Sequence, residues 1–164
     1  MGKNSITGNF PEIRRRDRAL DRESALNLLR QGQIGVLSTV DDKNQPYGVP
    51  VNYAVLHDTI YIHCAKSGHK LDNIRKNHKV SFCVVGSHEL KPEQFSTNYE
   101  SVIVFGSAEI IESEAKRIPL KTLIDQLIPQ MAPFGDDYID KHFKRTAIIK
   151  IAIEHISGKR RDEK

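Results

Sequence analysis

Residues 58–80, DTIYIHCAKSGHKLDNIRKNHKV, read as a strand, a short polar turn and a helix. The strand covers 59–64, where β-branched and aromatic residues suit a pleated surface. The turn is AKSG at 65–68, and from Gly68 onward Leu71, Ile74 and Arg75 recur at helical spacing. Ser67 is placed to cap that helix through its hydroxyl. His69 and Lys70 then fall in the first turn. Cations are unusual there, because a helix N-terminus already carries partial positive charge. A bound anion explains the arrangement: free N–H groups, a hydroxyl and an ammonium converge on one phosphate-sized spot. An ordinary strand-to-helix turn with solvated charges is the competing reading.

Outward from this stretch the pattern is mostly β. A helix over 22–31 is capped by Asp21, with Gly32 as its C′ residue. Strands follow at 34–40, 47–56 and 59–64, joined by turn residues at 41–44 and 57–58. Further strands are expected at 79–85, 99–111 and 146–156, the last with Ile149, Ile151 and Ile153 alternating against polar neighbours. Residues 86–97, GSHELKPEQFST, are too polar and broken for a strand and read as a long connection, a kind that is often functional. Gly106 within 99–111 marks a bulge or barrel corner. Helices are expected at 113–128, capped by Ser113, and at 136–144. Hairpin-length connections make the strands antiparallel, so the fold class is α+β, mainly β: a six-stranded sheet able to close into a small split barrel with peripheral helices. A doubly wound parallel sheet is excluded by the order of elements. The division is a lead-in over 1–11, one domain over 12–158 and a polar tail over 159–164.

The chain has 164 residues, 38% hydrophobic and 28% charged, with a net charge of +4. That is a globular composition with room for a core. No stretch is apolar enough to span a membrane and no apolar signal core opens the chain, so a cytoplasmic location is expected. Cys64 and Cys83 lack metal or disulfide spacing and read as free thiols. Arg14, Arg15, Arg16 and Arg18 form one basic cluster and Lys159, Arg160 and Arg161 another. No nucleic-acid-binding motif accompanies them, so no nucleic-acid partner is expected.

Nucleophile elbow, P-loop, GxGxxG and helical HxxxH patterns are all missing, and no metal site is expected. His63 reads first as a half-buried strand histidine and Cys64 as a small core residue. The stretch Val49-Pro50-Val51-Asn52-Tyr53 carries a proline inside a strand, which points to a sheet edge or an irregularity. Unpaired backbone groups there, and the amide of Asn52, suit a flat heteroaromatic ring.

Three stretches in this order, IGVLSTVDDKNQPYGVPVNYAV, IYIHCAKSGHKLDNIRKNHKVSFCVV and ESVIVFGSAEII, give the chain a resemblance to the FMN-binding split-barrel proteins related to pyridoxamine 5′-phosphate oxidase. Within them it looks most like the Nim group, the 5-nitroimidazole resistance proteins. The resemblance covers most of residues 12–158. It implies FMN bound at a homodimer interface. Val49, Pro50, Val51 and Asn52 would line the ring. His63, Cys64 and Ala65 would flank the ribityl chain and phosphate, and Ser67, His69 and Lys70 would hold the phosphate. Tyr99, Ser101 and Ile103 would close the site from the partner chain. Where oxidase relatives carry Arg-Lys, this chain has His69-Lys70. An imidazole moves protons near neutral pH, and His69 is the catalytic residue that the Nim resemblance implies. No counterpart of the pyridoxal phosphate recognition residues follows GKRRDEK, so vitamin B6 oxidation is not expected. The implied activity is an FMN-dependent reduction of a nitroaromatic or similar small acceptor, with a nicotinamide as a possible donor and one of Arg14 to Arg18 folded over the site. The alternatives are a non-catalytic flavin-binding protein and a haem-binding split barrel with His63 or His69 as ligand.

Overall fold

The computed structural model describes residues 10–163. Its strands are β1 (Ala19–Leu20), β2 (Ile34–Val40), β3 (Pro46–Asn52), β4 (Ala54–Leu56), β5 (Thr59–Ala65), β6 (Lys79–Lys91), β7 (Ser96–Ile111) and β8 (Thr146–Arg161). Its α-helices are α1 (Arg22–Gln31), α2 (His69–Lys76), α3 (Arg117–Leu127) and α4 (Gly135–His142). The strands form one sheet in the order β3-β2-β6-β7-β8-β5-β4, with β1 beside β8. Every pairing is antiparallel. The sheet curls into a half barrel, as the α+β split-barrel reading expects. Leu37, Ile62, Phe82, Val104 and Ile151 fill its concave side, and Leu29 of α1 and Leu71 of α2 plug the openings, all fully buried. Each such side chain contributes about 1.5–3 kcal/mol. A smaller cluster, Ala54, Leu123 and Ile148, lies beneath α3 on the other side.

Local chemistry explains most boundaries. Asp21 caps α1 by accepting from the Ser24 N–H at 2.9 Å. Gly32 follows α1 with φ −72°, an extended backbone and not the left-handed C′ geometry. Asp41 organises the β2–β3 turn, its carboxylate accepting from the N–H groups of Lys43 and Gln45, both at 2.8 Å. The expected strand over 47–56 is broken at Tyr53. That side chain turns into the core, donates to Leu29 O at 2.5 Å and packs edge-on against Phe82. Pro50 lies on β3 at the edge of the sheet, where a missing N–H is tolerated. Gly106 is the expected bulge: the β7–β8 register shifts between Phe105 and Gly106, and a Cβ there would meet Ala152 O at 2.2 Å.

Three further expectations are corrected. Residues 86–97 are not a loop. β6 and β7 run on as a two-stranded arm, pairing His88 with Tyr99 and Lys91 with Ser96, around a turn at Pro92–Gln94. The arm leaves the core, so neither face needs an apolar period and the alternation that marks a strand is lost. β8 continues past Ile156 to Arg161, because its end pairs with both β7 and β1. The helix expected from Ser113 starts instead at Arg117, after a 3₁₀ turn at Glu114–Lys116, and Ser113 makes no side-chain cap. Pro119 then falls in the first turn of α3, where its missing N–H costs nothing. Among the described residues no helix is long and apolar enough to cross a membrane.

Lys116 joins the helical layer to the sheet. It is 1% exposed, and its ammonium donates to Glu112 O at 3.1 Å and Thr146 O at 2.9 Å while standing over the Phe143 ring. Burial pushes its pKa down. Lys116→Met keeps the volume but leaves two carbonyls without a donor. We expect chemical denaturation to show a loss of about 1–3 kcal/mol; unchanged stability would mean that the carbonyls find other donors.

Candidate functional site

The turn between β5 and α2 is built on Gly68, whose φ of +139° is a conformation that side-chain-bearing residues rarely adopt. Gly68, and not Ser67, is the N-cap of α2, and no side chain caps this helix. Gly68 O accepts from the N–H groups of Leu71 and Asp72. The first-turn N–H groups of His69 and Lys70 have no intrahelical acceptor. The uncapped Ser67 hydroxyl lies exposed beside them.

The cations around this turn are unequal. Glu112 pairs with Lys66 at 3.3 Å and approaches Arg75 at 3.9 Å, and Arg75 also donates to Lys66 O. Asp42 holds Lys76 at 2.6 Å. Lys70 has no ion pair among the described residues, and its charge is felt by His63 and Cys64. The His63 ring is open to solvent on one side and crowded by protein on the other. Burial first, and then the Lys70 ammonium, push its pKa down, favouring the neutral ring. Burial pushes the Cys64 thiol up, favouring its neutral form.

His69 packs edge-on against Tyr47 of β3, ring centroids 4.8 Å apart. The sequence reading did not single out Tyr47. Its available signal was parity, since Tyr47 shares a strand face with Val49 and Val51. β3 therefore runs from His69 at its Tyr47 end to Asn52, which lines a cavity together with His63.

Strand alternation divides the expected site residues. Val49, Val51 and Cys64 pack against the core, so only their backbone is available to a ligand. Pro50, Asn52, His63 and Ala65 are exposed on the other face. The Asn52 amide already donates to Gln33 O at 3.1 Å, leaving its oxygen free. Tyr99, Ser101 and Ile103 lie elsewhere. They pair with Arg161, Lys159 and Ser157 of β8, whereas His63 and Ala65 pair with Ile148 and Thr146. Roughly 30 Å of strand separates Ile148 from Ser157 at about 3.3 Å per residue. Within one chain these β7 residues cannot reach the turn. Nor can the arginine cluster fold over it. Arg15, Arg16 and Arg18 pair with Asp17, Glu12 and Glu163, near the end of β8 that carries Lys159. No group of metal-ligating side chains occurs among the described residues.

Solved structures share this architecture. A candidate 5-nitroimidazole antibiotic resistance protein from Bacteroides thetaiotaomicron matches with a TM-score of 0.70 at 22% identity, over 86% of this chain and 85% of that one. An FAD-binding protein from Mesorhizobium loti gives 0.63 at 23% identity, over 89% and 97%. A flavocytochrome from Azotobacter vinelandii gives 0.77 at 23% identity, over 93% and 73%. At these identities the likeness establishes the fold. No curated protein matches the sequence. Residues 21–160 match the family model described as pyridoxamine 5′-phosphate oxidase, and the chain belongs to that family.

Proposed function

We propose that the chain is a homodimeric FMN-binding oxidoreductase that reduces a small nitroaromatic or similar acceptor. The observation that carries the reading is Lys70, an ammonium with no acidic partner beside two free helix N–H groups and an uncapped serine. The neighbouring cations Lys66, Arg75 and Lys76 are paired with Glu112, Asp72 and Asp42, so the unpaired charge is local to Lys70. A phosphate fits it in charge and in donor number. The solved relatives named as FAD-binding, as a flavocytochrome and as a candidate nitroimidazole resistance protein support a flavin over other phosphate ligands.

In this reading Ser67, Lys70 and the first-turn amides hold the phosphate, and the outer face of β3 at Pro50 and Asn52 takes the ring edge. Bound FMN supplies the two-electron chemistry. His69, oriented by Tyr47, holds a proton at the mouth of the site and gives it to the acceptor as negative charge develops. A nicotinamide is the proposed electron donor.

The dimer reading rests on an exposed apolar row across the convex side of the sheet. Val36, Cys83 and Ile103 are consecutive cross-strand neighbours on β2, β6 and β7. Val36 is 40%, Ile103 42% and nearby Val85 64% exposed. Such a contiguous patch marks an interaction surface. A second copy seated on it would bring its own Tyr99, Ser101 and Ile103 toward this chain's turn.

Titration with FMN, followed by flavin fluorescence, tests the cofactor. Lys70→Ala should weaken affinity by about 1.5–3 kcal/mol, roughly tenfold or more; unchanged affinity would place the phosphate elsewhere. For His69→Ala, steady-state reduction of a nitroimidazole should fall more than flavin affinity does, and equal losses would reduce His69 to a binding role. Ile103→Glu should convert the dimer to a monomer in analytical ultracentrifugation. A persisting dimer would move the interface to another face. A colourless protein that takes up no flavin but gives a Soret band with haem would favour the haem alternative.

A further inference from the structure

Between the outer face of β5 and the α3–α4 pair is a cavity of about 450 Å³. That is within the range of small-molecule sites and suits a molecule of one or two rings. Its helical wall is apolar, with Leu123, Ile124 and Leu127 of α3. Polar groups line it too, with His63 on β5, His142 at the end of α4 and Arg145 just beyond it, and no carboxylate does. Arg145 makes no ion pair or hydrogen bond among the described residues. His142 Nδ1 is buried without a hydrogen-bond partner, and its ring packs edge-on against Tyr138 at 4.4 Å. A buried nitrogen without a partner costs free energy, and the exposed Arg145 guanidinium, which no carboxylate holds, lines the same cavity. One ligand answers both: an apolar ring against α3 with a planar acid turned toward Arg145.

We propose that this cavity binds a small aromatic carboxylate, its ring on the α3 wall and its carboxylate on Arg145 and His142. The planar guanidinium fork matches a carboxylate's two oxygens. A single arginine beside a histidine suits a monoanion, whereas the doubly charged phosphate has its own cradle at Lys70. The inference deepens the flavin reading, because Asn52 and His63 line both regions and a ligand in the cavity would lie next to the ring edge. It narrows the acceptor class of that reading: among small nitroaromatics and similar acceptors, the site favours those that carry a carboxylate.

The probes are 2-naphthoate and its uncharged counterpart 2-naphthamide, added to flavin-free protein. The chain contains no tryptophan, so naphthalene fluorescence is read without an indole background. The acid should bind at least tenfold tighter than the amide. Arg145→Gln should erase that preference while leaving the thermal unfolding temperature unchanged, since Arg145 is exposed and unpaired. Equal affinities, no binding of either probe, or a preference that survives Arg145→Gln would overturn the proposal. A parallel FMN titration separates the two readings. Acid preference without flavin uptake defeats the flavin reading alone, and flavin uptake without acid preference defeats this one alone.

Discussion

The β7–β8 ladder is the constraint on which the rest of the molecule depends. β8 pairs with β7 along most of its length, with β5 through residues 146–152 and with β1 near Gly158 and Lys159. One long strand therefore serves two neighbours in succession on its other edge, which bends the sheet into a half barrel. The bend needs Gly106. A side chain there would collide with Ala152 O, and the register shift at this point lets the ladder turn without breaking. Local pairing energies are modest, but the ladder sets the direction of every side chain that follows, because strand faces alternate residue by residue.

That geometry separates the two ends of the molecule. The β5–α2 turn lies at the Thr146 end of β8 and the arginine cluster at the Arg161 end. At the first end, Glu112, Asp72 and Asp42 pair with Lys66, Arg75 and Lys76 and leave Lys70. At the second, acids answer Arg15, Arg16 and Arg18. The contrast gives the turn its meaning. Exposed ion pairs contribute little to stability, about 0–1 kcal/mol each. Their effect here is to leave the Lys70 ammonium without an acidic partner among the described residues. The proposed dimer resolves the distance between the ends, since a partner can bring its own β7 to a site that this chain's β7 cannot reach.

Much of this was legible in the residues. Alternation at Ile149, Ile151 and Ile153, the Asp21 cap, the Asx chemistry of Asp41 and the lone glycine of β7 located elements correctly because each is a local physical signal. The charges of the SGHK turn marked it as a candidate anion site, and the cap proved to be Gly68, a backbone feature that a hydroxyl at Ser67 imitates in sequence. The arm at 86–97 was not legible. Its β6 half is largely exposed and its β7 half buries only the polar Asn98, so no apolar period survives. Residues 49–52 were read as lining the ring and 63–65 as flanking the ribityl chain and phosphate, but alternation turns the side chains of Val49, Val51 and Cys64 toward the core. Tyr47, His142 and Arg145 were missed because their roles come from long-range packing: Tyr47 meets His69 from a different strand, and the cavity exists only once α3 and α4 fold back over β5.

The central claim is that the β5–α2 turn recognises a flavin by its phosphate. The most direct measurement compares FMN with riboflavin, which share the ring and ribityl chain and differ in the phosphate alone, in parallel fluorescence titrations of the wild-type protein. The account predicts FMN binding at least tenfold tighter than riboflavin, with the difference shrinking as inorganic phosphate is added. Equal affinity for the two would contradict it.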